Sequence, residues 1–284
     1  MPKIITPLRW TGGKTRVINK IKDRFPEQWN TFYEPFVGGG SIFLYLKQLY
    51  PDRKFVINDL NLKVSNLWYW LKTDPTQLSD ICLSFSESSD RNEKTGRELF
   101  EKCINELYSN PFEFTIQNAA LFWVLNKIQY SGSEKARFSP AAYGCGAYLG
   151  KGAFSDSNAK KLKEIGDIIN NGGEVEVESI DYELSISPAT KDDFIFLDPP
   201  YKLDVSKSNL YGKTGELHKV FDHTRFAKVM NNSNSRFMIT YDTNVDHLNN
   251  FNSNLSFETF DHKYTTVWEK GKAVETKELI IRNY

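Results

Sequence analysis

The sequence predicts an α/β protein built on a mostly parallel sheet, and three observations carry that expectation. Strand-like and helix-like runs alternate in a βαβα order over residues 31–72, a pattern that implies parallel strands. Apolar strand-like runs return after residue 174, so the two halves should join one sheet. The run "FIFL" then stops at an acid and two prolines, "FIFLDPPYK" (residues 194–202). Proline has no N–H for a sheet ladder, so the strand ends at Asp198. Asp198, Pro199, Pro200 and Tyr201 are thereby held beyond the C-terminal edge of the strand, where open α/β sheets bind ligands. A strand closed by a rigid turn without chemistry is the competing reading of these residues.

In chain order, residues 14–24 have helical spacing and stop before Pro26. "TFYEPF" (31–36) reads as a strand, "VGGG" as a tight turn and residues 41–50 as a helix. "KFVIND" (54–59) is the next strand and residues 61–72 the next helix. "DPTQLSDICLSF" reads as a helix capped by Asp74, with Pro75 in its first turn. Residues 92–109 and 113–129 also carry helical spacing. Residues 131–157, rich in Gly, Ser, Ala and aromatics, have no clean period and read as a long loop region. Loops of that length inside a domain are usually functional or disordered. A helix near 158–171 precedes strands at 174–180, 194–197, 236–241, 255–260 and 278–283. The expected organisation is a sheet domain from residues 1–74 and 156–284, interrupted by an insert at 75–155.

The chain of 284 residues is long enough for one large α/β domain with such an insert. Its cysteines, Cys82, Cys103 and Cys145, are widely spaced and form no CxxC. Neither a disulfide framework nor a zinc site is expected, no metal is called for, and a reducing cytoplasmic compartment fits. No run approaches a membrane span, and the N-terminus lacks a secretory pattern. The formal net charge is zero, yet charge is segregated along the chain. Residues 1–24 hold seven Lys/Arg and one acid, residues 126–163 hold seven Lys/Arg and two acids, and residues 174–204 hold nine acids and two lysines. Segregation of this kind can focus a field towards a polyanion such as DNA. Ordinary solvated surface is the alternative.

Three further motifs carry chemistry. In "YEPFVGGGSIF" (33–43) a strand ends, glycines make a tight turn and a helix begins. Glycines admit a ligand close to the backbone, and the helix start offers free N–H groups. This is neither a GxGxxG fingerprint nor a P-loop, and a packing turn would look the same. In "INDLN" (57–61) an acid, Asp59, ends the next strand. An acid there accepts hydrogen bonds from ribose hydroxyls, or it caps the following helix, a role Asn61 could also fill. In "LRWTGGKTRV" (8–17) a Gly-Gly-Lys before a helix looks like an anion cradle, or a structural turn, and Trp10 could equally be core.

In this order and spacing, WTGGK, EPFVGGGS, INDLN and DPPY resemble the Dam-type DNA adenine-N6 methyltransferases, the alpha group with DPPY. The resemblance runs from Pro7 to Tyr284 and includes the closing "KELIIRNY". It implies a Rossmann-like, S-adenosylmethionine-dependent methyltransferase fold: a mixed, mostly parallel sheet with an antiparallel last strand, plus a helical and loop target-recognition insert. It implies that Glu34, Phe36, Gly38, Gly39 and Gly40 hold S-adenosylmethionine, with Trp10 and Lys14 lining the same pocket. Asp59 would bind the ribose, Leu60 would lie against the adenine ring, and Asp181 with Tyr182 or Ile180 would read the adenine amino group. Asp198, Pro199, Pro200 and Tyr201 match the catalytic tetrad, with Asp198 also at the cofactor. The insert departs from the GATC-type pattern. Where such relatives carry "FNGLYR"-like and "FNVPYG" stretches, this chain reads "LNKIQYSGSEKARFSPAAYG" (125–144), closer to an "NRxxFSG" branch. The resemblance therefore does not bring GATC specificity with it.

The chemistry explains the residue types. An adenine amino nitrogen is a poor nucleophile because its lone pair is conjugated into the ring. Two acceptors aimed at its N–H bonds, the Asp198 carboxylate and the Pro199 carbonyl, would free that pair, and the prolines preorganise the carbonyl. Tyr201 offers a stacking face. A base inside a duplex must be flipped out to reach such a site, at a cost of a few kcal/mol, which phosphate contacts would offset. Arg9, Lys127, Gln129, Tyr130, Ser131 and Arg137 are the candidate DNA contacts, and residues 209–223 a loop that would order around the base. Double-stranded DNA is the expected partner, with a monomer or weak dimer as the assembly. A cognate restriction endonuclease enters only if the enzyme belongs to such a pair, without direct contact implied. Cytosine-N4 and RNA adenine methylation are the alternative activities, and a non-catalytic DNA-binding module is the alternative class.

Overall fold

Strands β1 (Thr31–Glu34), β2 (Lys54–Asn58), β3 (Val175–Glu178), β4 (Phe194–Leu197), β5 (Arg236–Asp242), β6 (Ser256–Glu269) and β7 (Lys272–Arg282) form one seven-stranded sheet. Their order is β3-β2-β1-β4-β5-β7-β6. The first five strands run parallel, and β7 lies antiparallel to both β5 and β6. This computed structural model describes residues 2, 4–10, 12–87, 90–109, 111–130, 137–201, 221–243, 246–269 and 272–284.

Strand alternation sorts side chains onto two faces. Phe32, Phe55, Phe194 and Phe196 enter one core with helices α2 (Ser41–Leu49), α3 (Leu62–Thr73) and α8 (Asp156–Asn170). Tyr33, Val56, Ile195 and Leu197 enter the other, against α9 (Tyr182–Ile186) and α10 (His223–Asn231). Helices thus cover both faces, as a parallel sheet requires. The segment 14–24 is not one helix. It consists of a short α1 (Ile18–Ile21) between 3-10 turns at Lys14–Arg16 and Lys22–Arg24. No side chain caps its start at Gly13, and an uncapped end satisfies its backbone by tightening.

Between α3 and α8 lie α4 (Pro75–Glu87), α5 (Glu93–Leu107), α6 (Ile116–Ile128) and α7 (Pro140–Tyr143). Asp74 accepts from the Gln77 N–H (2.8 Å) and Pro75 opens α4. Helix α6 is buried on all sides from Ala119 to Ile128, packing on α3, α4 and α5. Its apolar residues belong to the same core as the α2, α3 and α8 face, so the segment 75–155 extends that face rather than standing apart on its own core.

Other elements also differ from the expectation. The region 131–157, read as loop, holds α7 and a 3-10 turn at Gly146–Tyr148 among its described residues. Helix α9 spans only five residues, too few to show a helical period. Helix α10 begins at the last residue of the loop expected over 209–223 and continues through residues to which no element was assigned; Asp222 caps it by accepting from the Arg225 N–H (2.9 Å). Strands β6 and β7 extend well beyond 255–260 and 278–283, their outer lengths pairing only with each other. No helix among the described residues is long and apolar enough to cross a membrane.

Candidate active site

The strand order reverses between β1 and β4, the switch point at which open α/β sheets leave a crevice beyond their C-terminal ends. The cleft there is lined by Trp10, Lys14, Glu34, Phe36, Gly38, Gly39, Gly40, Asp59, Leu60, Asp181, Tyr182 and Asp198, together with Pro200. Pro199 is buried, and Tyr201 is half-buried.

The glycine turn is shaped by two tryptophans. A Cβ at Gly39 would stand 2.9 Å from Trp10 Cβ, and one at Gly40 would collide with the Trp68 ring. Gly38 and Gly40 also have φ of 45° and 67°, where side chains are strained. The Trp68 indole N–H donates to Gly38 O (3.0 Å). Asp59 accepts from the Gly38 N–H on Oδ2 and from the Asn61 N–H on Oδ1, each at 3.0 Å. The cap of α3 is Asn61, whose Oδ1 accepts from the Lys63 N–H (3.1 Å). Beneath the turn, buried Asn58 donates to Pro35 O (3.0 Å) and Ile180 O (3.1 Å) and accepts from the Ile180 N–H (2.9 Å). One amide therefore ties together the ends of β1, β2 and β3.

Asp198 stands on the opposite side with its carboxylate held by three groups. Oδ1 accepts from the Tyr201 hydroxyl (2.9 Å) and the Thr240 hydroxyl (2.8 Å), and Oδ2 faces the Lys14 ammonium at 2.8 Å. Lys14 also donates to Gly12 O and the Tyr201 hydroxyl, each at 3.1 Å. The anion that the Gly-Gly-Lys turn meets is thus the Asp198 carboxylate. Burial works against the Lys14 charge, but Asp198, Glu278 and Glu34 together push its pKa above the ordinary lysine value. Glu34 behaves oppositely. Burial, and then the charge of Asp198, raise its carboxyl well above the usual range despite the Phe43 N–H at 2.8 Å.

The candidate DNA contacts fare unequally. Lys127 and Gln129 are buried, so neither side chain offers itself to a base edge: both sit at the end of α6, inside the core. Burial, with Arg9 and Lys161 nearby, lowers the Lys127 pKa to about 7. Arg9 is half-buried, its backbone paired with Asn126 (2.8 and 3.0 Å) and its guanidinium donating to Gln129 O (3.3 Å). Tyr130 and Arg137 are exposed and adjacent, the guanidinium 5.7 Å from the ring centre. Ser131, like residues 209–220 of the expected loop, lies outside the described residues.

Sequence reasoning missed Thr240, Asn58, Phe221 and Arg225. Thr240 is an ordinary strand residue by type, and only its neighbour Asp198 gives it a role. Asn58 stands beside Asp59 in the same motif, where a buried amide at a strand end was the available signal. Phe221, in the expected loop 209–223, and Arg225, in α10 just beyond it, line the cleft, and neither belongs to a motif that marks it in sequence. Among the described residues no cluster of His, Cys, Asp or Glu could hold a metal ion.

The cleft suits an adenosyl group by its own chemistry. Leu60 and Ile180, 58% and 39% exposed, open apolar surface to it, and carboxylates flank them at Asp59 and Asp181. A parallel sheet with an antiparallel closing hairpin and a nucleotide-sized crevice at the switch point defines a Rossmann-like methyltransferase. Within that class, the chain belongs to the D12 class N6 adenine-specific DNA methyltransferases, whose family description matches residues 10–276. Relatives agree at modest identity. The type II methyltransferase M.MjaIII of Methanocaldococcus jannaschii is 27% identical over 253 residues, covering 84% of each chain. The type II methyltransferase M1.LlaDCHI of Lactococcus lactis is 26% identical over 227 residues, 76% of this chain and 71% of its own. A DNA adenine methylase of Haemophilus influenzae is 26% identical over 212 residues, 73% of this chain and 68% of its own. The chain is therefore a DNA adenine-N6 methyltransferase, a class that implies S-adenosylmethionine as methyl donor and DNA as substrate.

Proposed function

We propose that this enzyme methylates the N6 amine of an adenine flipped out of duplex DNA, using the cleft for S-adenosylmethionine and Asp198 with Pro199 as the two acceptors. S-adenosylmethionine supplies an electrophilic methyl group on a sulfonium. Asp59 accepts from the ribose hydroxyls, Leu60 and Ile180 enclose the adenine ring, and Asp181 accepts from its amino group. Trp10 and the glycine turn at Gly38, Gly39 and Gly40 form the wall along which the methionine part lies.

The observation that carries this reading is the Asp198 carboxylate. Two lone pairs on Oδ1 and one on Oδ2 are taken by Tyr201, Thr240 and Lys14. A carboxylate oxygen has two such sites, so among the described residues one acceptor position on Oδ2 is left for a hydrogen of the target amine. Pro199 supplies the second acceptor through its carbonyl, directed by the proline pair. The amine nitrogen must shed one proton when the N–C bond forms, and Asp198 is the group in contact with that hydrogen. Tyr201, its hydroxyl tied down, presents a fixed ring for the base to stack on. Residues 75–155 serve as the recognition insert, with Tyr130 and Arg137 as its exposed candidates for DNA. The departure from the GATC-type pattern points to another recognition sequence.

The test is digestion of methylated DNA to nucleosides followed by mass measurement, with wild type and Asp198→Ala side by side. N6-methyldeoxyadenosine from the wild type, and none from a variant that still binds DNA, is the expected result. N4-methyldeoxycytidine, or equal turnover in the variant, would overturn the proposal.

A further inference from the structure

We infer that Arg225 is a positioning residue for the adenine of the cofactor, acting by holding the Asp181 carboxylate in a fixed plane at the mouth of the cleft. The inference rests on the proposed role of Asp181 and deepens it. Arg225 grips both Asp181 oxygens, Nη1 to Oδ2 at 3.0 Å and Nη2 to Oδ1 at 2.7 Å. The same guanidinium donates twice to Glu183 Oε2 (3.0 and 2.6 Å) and lies 5.2 Å from the Tyr182 ring centre. Asp181 Oδ1 also accepts from the Glu183 N–H at 3.0 Å. Among the described residues, Oδ1 is thus filled and Oδ2 keeps one acceptor position, enough for one hydrogen of an amino group.

The arrangement joins two elements that line the cleft: the loop after β3 that carries Asp181, and the first turn of α10 that carries Arg225. A two-pronged guanidinium fixes a carboxylate plane as a lysine cannot. Burial pushes the Asp181 carboxyl up, but the hydrogen bonds from Arg225 and the Glu183 N–H and the charge of Arg225 together hold it below its ordinary value. The pair is partly solvent-exposed, Arg225 by 44%, and exposed ion pairs contribute little to stability. Its removal should leave the fold intact and show itself in recognition.

The readout is the ratio of dissociation constants for S-adenosylhomocysteine and S-inosylhomocysteine, which differs in carrying a carbonyl where adenine has its amino group. Wild type, Arg225→Ala, Arg225→Lys and Asp181→Ala are compared, with thermal melting of each without ligand. The wild type should favour the adenosyl compound, Asp181→Ala should lose that preference, and Arg225→Ala should reduce it roughly tenfold with an unchanged melting temperature. Arg225→Lys should fall between. If Asp181→Ala loses the preference and Arg225→Ala keeps it, the role of Arg225 is refuted while that of Asp181 stands. If Asp181→Ala also keeps it, the reading of the adenine subsite fails and Arg225 falls with it.

Discussion

Asp198 and Asp181 are held alike: each carboxylate meets a cation and further donors that, among the described residues, leave one acceptor position on Oδ2. A carboxylate fixed in this way need not reorganise when its partner arrives, which is where preorganised sites gain most. Thr240 is the least obvious of the groups around Asp198. Thr240→Val removes one hydrogen bond to a charged acceptor while keeping the side-chain shape. We expect kcat to fall roughly tenfold with binding of S-adenosylhomocysteine retained, as steady-state kinetics and calorimetry would show. Lys127 makes a different prediction. Burial, with Arg9 and Lys161 nearby, depresses its folded pKa to about 7, against about 10.4 for an unperturbed lysine. Between those values the unfolded chain binds the extra proton, so this residue makes stability rise with pH across that window. Lys127→Met should therefore melt higher than wild type at pH 6–7, with the advantage shrinking as pH approaches about 10. Melting curves across that range would check it. The motif residues were legible because strand ends, glycines and prolines mark themselves in sequence. Burial of a lysine at the end of an all-round apolar helix does not.

At the scale of elements, the five parallel strands were legible as short strand-like runs between breakers, apolar in β2, β4 and β5 and alternating in β3. Helices α9 and α10 were not. One is too short to show a period, and the other begins just after a stretch with none. The outer lengths of β6 and β7 pair with each other, far from the five parallel strands, and no turn or breaker next to 255–260 or 278–283 marks how far they run. What holds the strand ends in place beneath the cleft is Asn58. Its three hydrogen bonds span residues 35, 58 and 180, and leucine at that position would leave Pro35 O and both backbone groups of Ile180 unmet by the side chain. Asn58→Leu should lower unfolding free energy by about 3 kcal/mol in urea titrations, and weaken S-adenosylhomocysteine binding alongside, since Asp59 and Ile180 line the cleft proposed to hold it.

Over the whole molecule, charge turned out to be spent partly inside. Of the basic residues counted near the N-terminus and in the insert, Lys14 pairs with Asp198, Arg24 pairs with Glu258 and Lys127 is buried. Fewer basic groups are therefore exposed than the sequence count implies, Arg137 among those that are. The sequence reading separated an insert from the sheet domain, whereas α4 to α7 share a core with α2, α3 and α8. Recognition and catalysis would therefore sit on one packed body, with the cleft at its switch point. The most direct measurement is a crystal structure with S-adenosylhomocysteine and a duplex carrying the target adenine. The account predicts the adenosyl group between Asp59 and Asp181, and an extrahelical adenine whose N6 lies within hydrogen-bond distance of Asp198 Oδ2 and Pro199 O. An adenosyl group bound elsewhere, or an Asp198 carboxylate with no contact to the target base, would contradict it.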